Sequence, residues 1–266
     1  MVTPKDFYNE IADFYDEETK SPVMLAEDIV LFNFLRDEDL LSGSVLDAGC
    51  GTGLLLDLSY APDWKVTEYF GYDFSEAMLQ KMRQKWPRFK GNTFQMDFLD
   101  DHLCFYNGFD SVLSLNAGLN CLVRPEVNLA FRNLWSCVKK GGTMCLMIYG
   151  NIAPEERDTS LHSILSSKQT YPYVMIEEGV IYNWLKDLPE SSNIRIYPFS
   201  QKEIETDDKP MPSSDNMSEV IYHRNRIESD LDEAIFEFES SSHRKKGVTN
   251  IPRCSFLLCL ADKIKT

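Results

Sequence analysis

Apolar positions along this chain switch repeatedly between short continuous runs and a helical spacing. The runs at 44–46, 68–72, 92–96, 109–115 and 143–149 predict strands. Segments after Gly53, after Ser75 and over 125–138 predict the helices between them, which makes a series of βα units and an α/β chain. The fourth run alternates and then becomes continuously apolar, as a buried strand does. Ahead of the first strand, Phe7, Ile11 and Phe14 fall at helical spacing with Tyr8 and Tyr15 beside them, so an amphipathic helix is predicted over 4–19 with Pro4 near its start. A second helix is predicted over 22–41, with Leu25, Ile29, Phe32 and Leu35 on one face and Gly43 past its end.

After residue 150 the rhythm breaks. The stretches 171–185 and 193–199 alternate like strands, and 209–218, with Pro210 and Pro212, reads as a turn-rich connector. The runs 234–239 and 254–261 are read as the last two strands, joined by a polar loop over 240–250. The predicted organisation is therefore N-terminal helices over 1–41, a core over 42–150, an inserted segment over 151–218, and final strands within 219–266.

The chemistry concentrates where the first strand closes, on Asp47-Ala48-Gly49-Cys50-Gly51-Thr52-Gly53. Glycines at alternate positions let the backbone turn sharply, and a helix N-terminus behind them points its N–H groups at a ligand. Taken alone, the same residues would also make a tight strand-to-helix turn with no ligand. The dinucleotide fingerprint Gly-x-Gly-x-x-Gly is not met, because Leu54 stands where its third glycine belongs. Asp73 ends the second strand and Asp97 the third, at nearly equal intervals. Asp73 reads either as a helix-start acid ahead of the capping candidate Ser75, or as an acceptor for the vicinal hydroxyls of a ribose; its distance behind the glycine turn favours the ribose. Lys139-Lys140-Gly141-Gly142 closes the helix before the fifth strand.

In register, the glycine turn, Asp73, Asp97 and the Lys-Lys-Gly-Gly turn resemble the class I S-adenosylmethionine (SAM) dependent methyltransferases, over roughly residues 7–150. The resemblance implies a doubly wound, mostly parallel, seven-stranded Rossmann-like sheet with SAM as cofactor. It further implies that Asp47, Ala48, Gly49, Gly51 and Gly53 lie along the methionine and ribose portion, with Asp47 helping to fix the ammonium. Asp73 would hold the ribose, and Phe74 and Met78 are further expected cofactor contacts. Asp97 would accept from the adenine amino group, with Met96 and Phe98 sandwiching the ring. Tyr15 and Asn116 complete the expected cofactor contacts. The aromatic pattern over 7–16 resembles the N-terminal lid helix of small-molecule members, and it reads equally as a packing helix. Tyr8, Asn120 and His223 are the candidate substrate residues, and no catalytic residue is assigned, because displacement from a sulfonium can proceed by alignment alone.

Composition narrows the acceptor. The formal net charge is −15, from 42 acids against 27 Lys and Arg, which disfavours nucleic acid as a partner. Arg244, Lys245 and Lys246 form the one basic run. An Asn or Asp followed by Pro-Pro and an aromatic, usual in methyltransferases acting on base amino groups or glutamine, is missing after the fourth strand, which reads Asn116-Ala117-Gly118-Leu119-Asn120. A small-molecule acceptor is expected. Seven cysteines without a Cys-x-x-Cys pair read as buried apolar residues in a reducing compartment. Residues 1–10 show no signal-like apolar segment, no run is long enough for a membrane span, and no His or Cys cluster has metal-ligand spacing, so a cytoplasmic protein without metal is expected. Two other functions fit the same pattern. One is aminopropyl transfer, for which acids are expected where Asn116 and Ala117 stand; the other is SAM binding without catalysis.

Overall fold

Thr3 accepts the Asp6 N–H on its hydroxyl and Pro4 takes the first helical position, where no N–H is needed, so α1 (Pro4–Ile11) starts where the sequence predicts. The computed structural model describes residues 3–18, 22–60, 64–101, 105–151, 159–162, 171–199 and 256–264. The predicted first helix is divided: a turn at 12–14 separates α1 from the short α2 (Tyr15–Glu18). The turn leaves Phe14 exposed while Phe7, Ile11 and Ala12 are buried. The next helix, α3 (Pro22–Asp37), buries Phe32 and Leu35.

Five strands run parallel, in the order β3-β2-β1-β4-β5: β1 (Ser42–Ala48), β2 (Lys65–Asp73), β3 (Thr93–Gln95), β4 (Phe109–Ser114) and β5 (Val138–Asn151). A 3-10 turn (Leu54–Tyr60) follows β1, α4 (Glu76–Lys85) follows β2, and α5 (Arg124–Cys137) lies between β4 and β5. Beyond β5 come a hairpin, β6 (Thr159–His162) with β7 (Tyr171–Val174), then β8 (Ile176–Glu177) against the end of β5, then α6 (Glu178–Lys186). The sheet is completed by β9 (Ser191–Phe199) and β10 (Phe256–Lys263), with β10 antiparallel to both β5 and β9. The seven-strand path is β3-β2-β1-β4-β5-β10-β9, a doubly wound Rossmann-like sheet whose strand order reverses at β1 and β4.

Consecutive residues of the central strands face opposite layers. Leu46, Val112, Leu146 and Leu257 pack towards Phe131 and Trp135 of α5 and Ile181 of α6. Val45, Leu113, Cys145 and Leu258 pack towards Leu31 and Leu35 of α3 and Leu79 and Met82 of α4. Burial on both faces is why these strands read as continuous apolar runs.

The chain beyond 150 departs from the sequence reading in two places. Residues 178–186 are helical, because Ile181 and Leu185 stand four positions apart on one buried face. Residues 191–199, assigned above to the insertion, form the outer strand of the core sheet instead. The stretch 234–239, expected in that role, lies outside the described residues, as do His223 and the basic run at 244–246.

Candidate functional site

The glycine turn sits at the C-terminal end of β1, where the strand order reverses and ligands of such sheets bind. Gly49, Gly51 and Gly53 have φ of +76°, +53° and +90°, which residues with a side chain adopt rarely. Gly49 and Cys50 donate their N–H groups to the Tyr72 carbonyl at 2.8 and 2.9 Å, pinning the turn to β2. A Cβ at Gly53 would stand 3.0 Å from both Met82 and Trp86, and one at Gly49 would stand 3.0 Å from the Phe98 ring. Around Gly51 there is space: a Cβ there would meet nothing within 4 Å among the described residues. The turn is packed tightly from below and open at its middle residue.

Asp73 crosses from β2 to this turn. Its Oδ2 accepts the Gly51 N–H at 3.0 Å and its Oδ1 accepts the Ser75 N–H at 2.8 Å. A carboxylate offers about four lone pairs, so roughly two remain for a diol. Burial pushes this carboxyl up to about 6, against the Ser75 and Gly51 N–H groups, with the charge of Asp97 adding to the rise.

Asp47 lies opposite Gly71 in the β1–β2 register. The missing Cβ at Gly71 leaves room for Tyr69 to reach diagonally across, and the Tyr69 hydroxyl donates to Asp47 Oδ2 at 2.9 Å. Burial pushes Asp47 up to about 7; the Tyr69 hydroxyl pulls it back and the charge of Asp73 adds to it. Asp97 is half-buried in the loop after β3, its Oδ1 accepting the Leu99 N–H at 3.0 Å. Among the described residues, no lysine or arginine bonds Asp47, Asp73 or Asp97. Asp47 and Asp73 at the ends of β1 and β2, with Asp97 just beyond β3, form a row of carboxylates that no described lysine or arginine pairs, and such a row is suited to a cation.

The N-terminal helices lean over this row. Phe7, Ile11 and Ala12 bury Met78 at the first turn of α4 in a cluster of their own. Tyr8 meets Tyr15 and Phe74 edge-on, with ring centroids 6.2 and 5.9 Å apart. Burial pushes the Tyr15 hydroxyl well up, and the charges of Asp73, Tyr149, Asp16 and Asp28 add to it.

Most expected site residues converge here, in different capacities. Met96 and Phe98 are on the same side of the sheet, but the Phe98 ring is buried against Gly49, Gly118 and Tyr72, which makes it a support for the turn. The Ala48 side chain is in the core. Asn116, at φ +54°, is exposed beyond the end of β4. Asn120 is a correction: its amide is occupied, accepting the Tyr149 N–H at 2.9 Å and donating to the Tyr149 and Val174 carbonyls, so it clamps β5 to the hairpin and is not available to a substrate. Sequence reasoning missed Tyr69, whose signal was its place two residues before Gly71 and four before Asp73. It also missed Asn9, which one face of α1 presents to α4.

Residues 45–142 match the family model described as a methyltransferase domain. No curated protein matches the chain. Among solved structures, an S-adenosylmethionine-dependent methyltransferase from Clostridium acetobutylicum is similar over 98% of this chain and 100% of its own, at 14% identity and a TM-score of 0.56. DhpI in complex with S-adenosylhomocysteine (SAH) is similar over 98% and 95%, at 13% identity and a TM-score of 0.56. A putative methyltransferase from Haloferax volcanii, solved with the Trm112 methyltransferase activator, is similar over 97% of each chain, at 14% identity and a TM-score of 0.57. At these identities the likeness is one of fold.

Proposed function

We propose, on the premise that residues 45–142 are a methyltransferase domain and place the chain among the class I SAM-dependent methyltransferases, that it transfers a methyl group from SAM to a small-molecule acceptor. The observation that carries the reading is the Asp73 carboxylate, bonded to Gly51 and Ser75 yet retaining acceptor capacity beside the open middle of the glycine turn. Asp47 and Asp97 extend the row of acceptors towards an ammonium on one side and an adenine amino group on the other. Bound there, SAM would supply an electrophilic methyl on a sulfonium.

The chain's own task is then to orient the acceptor and exclude water, since in-line displacement from a sulfonium needs alignment more than proton transfer. The N-terminal helices and the segment beyond β5 enclose the acceptor between them. The −15 net charge supports a small acceptor over nucleic acid.

The test is incubation with methyl-labelled SAM and a metabolite extract, with the labelled product identified by mass. Label in a small molecule is the expected result. Label found in RNA or protein alone would show that the acceptor class is wrong, and calorimetry with no heat from SAM or SAH beside tight binding of NAD would remove the cofactor assignment.

A further inference from the structure

Both oxygens of Asp73 are held by backbone segments that the N-terminal helices also hold. Oδ1 accepts the Ser75 N–H, and the Ser75 hydroxyl donates at 2.7 Å to Oδ1 of Asn9 on α1. Oδ2 accepts the Gly51 N–H, and the next residue, Thr52, donates its hydroxyl to Asp16 of α2. The Asn9 oxygen also accepts the Ala77 N–H at 3.4 Å, while Ser75 Oγ accepts the Met78 N–H at 3.2 Å. One amide oxygen from α1 and one hydroxyl from Ser75 therefore cap the first turn of α4 jointly.

We propose that Asn9 is a positioning residue for the cofactor ribose: its amide oxygen fixes Ser75 at the start of α4, and so sets the rotation of the Asp73 carboxylate. The proposal rests on reading Asp73 as the ribose acceptor. A vicinal diol presents two hydroxyls at a fixed separation, so the carboxylate must offer its free lone pairs in one orientation, and any rotation weakens both bonds together. That orientation is set by two N–H groups. Gly51 is steadied by the turn it belongs to and, through Thr52, by Asp16, which Lys85 approaches at 3.5 Å. Ser75 stands at a helix start, and its hydroxyl has a single proton, which goes to Asn9. Losing the Asn9 oxygen would not undock the helix, because Phe7 and Ile11 remain buried against Met78 and Lys81 still pairs with Asp13. The consequence is confined to Ser75 and the carboxylate it steadies.

The experiment is calorimetric titration of the full chain, as wild type, Asn9→Ala and Asn9→Asp, with SAH and with its analogue lacking both ribose hydroxyls. Asn9→Ala should weaken SAH binding about five- to tenfold, the size of one lost hydrogen bond. Asn9→Asp keeps the acceptor oxygen at a helix N-terminus and should bind SAH within about twofold of wild type. The analogue, which makes no diol contact, should bind all three proteins within about twofold of one another. Asn9 is exposed, and matching thermal melts establish that the variants fold. Equal weakening of both ligands by Asn9→Ala would reduce Asn9 to a structural cap and overturn the proposal. Unchanged SAH affinity in Asn9→Ala would overturn it too, leaving the cofactor assignment intact. Failure of wild type to bind SAH would overturn the cofactor assignment, and this proposal with it.

Discussion

The two most deeply buried carboxyls of the site pull stability and ligand binding in opposite directions. Folding raises Asp47 to about 7 and Asp73 to about 6, from 3.8 for both, with burial as the main cause. A carboxyl raised on folding prefers its protonated form in the folded chain. Its contribution to stability is complete below about pH 4 and is lost as pH rises through about 6 to 7. Asp47→Asn removes that loss, and Asn can serve the Tyr69 hydroxyl as acceptor or donor, so the ligand-free variant should melt a few degrees above wild type at pH 8 and at about the same temperature at pH 4. Scanning calorimetry at the two pH values decides it, and a variant that melts lower at pH 8 would contradict the argument. Asp73 differs, because both of its oxygens already serve backbone N–H groups. Asp73→Ala should weaken cofactor binding by roughly 2 to 3 kcal/mol, the loss of charge-assisted hydrogen bonds, and an unchanged dissociation constant in a folded variant would return Asp73 to a helix-start role. The glycine turn and Asp73 were legible in the sequence because their chemistry is local to one strand end. The Asp47–Tyr69 bond was not, since it depends on the register between two strands, which no spacing along one of them reveals.

Among elements, α1 carries the clearest division between folding and function. Its buried residues form a cluster with Met78 and contribute nothing to the two layers on the sheet. Removing residues 1–19 should therefore leave the core folded while abolishing methyl transfer, because Tyr15 and the cover over the carboxylate row go with them. A cooperative thermal transition together with lost turnover is the expected pair of observations, and normal turnover by the truncated chain would refute the enclosed site. Of the first five strands, β1, β4 and the inner half of β5 were readable because they are buried on both faces, and β2 and β3 because a glycine turn or helical spacing sets each apart from the next. The outer strand β9 was not: its polar and apolar alternation is that of any strand with one covered face, and only its pairing with β10 distinguishes it from a surface hairpin. The helix α6 was hidden for a related reason, since nine residues hold too few turns to establish a period against a neighbouring strand-like run.

For the whole molecule, charge sets the terms of association. An excess of acids repels phosphate backbones, so methyl transfer to the proper acceptor should change less than about twofold between 50 and 200 mM salt, whereas a nucleic-acid acceptor would bring a steep decline. A turnover series across that range distinguishes the two. The sheet's connectivity carries a different consequence. β10 lies closer to the C-terminus than any other described strand, yet it occupies an interior position, and β9 touches the sheet only through it. Until Phe256–Lys263 is available, Thr143–Tyr149 of β5 lack their antiparallel partner and β9 lacks the strand through which it joins the sheet. A nascent chain stalled before Phe256 should be protease-sensitive along β5 and dependent on chaperones, and eight further residues, Phe256–Lys263, would close the sheet in one step.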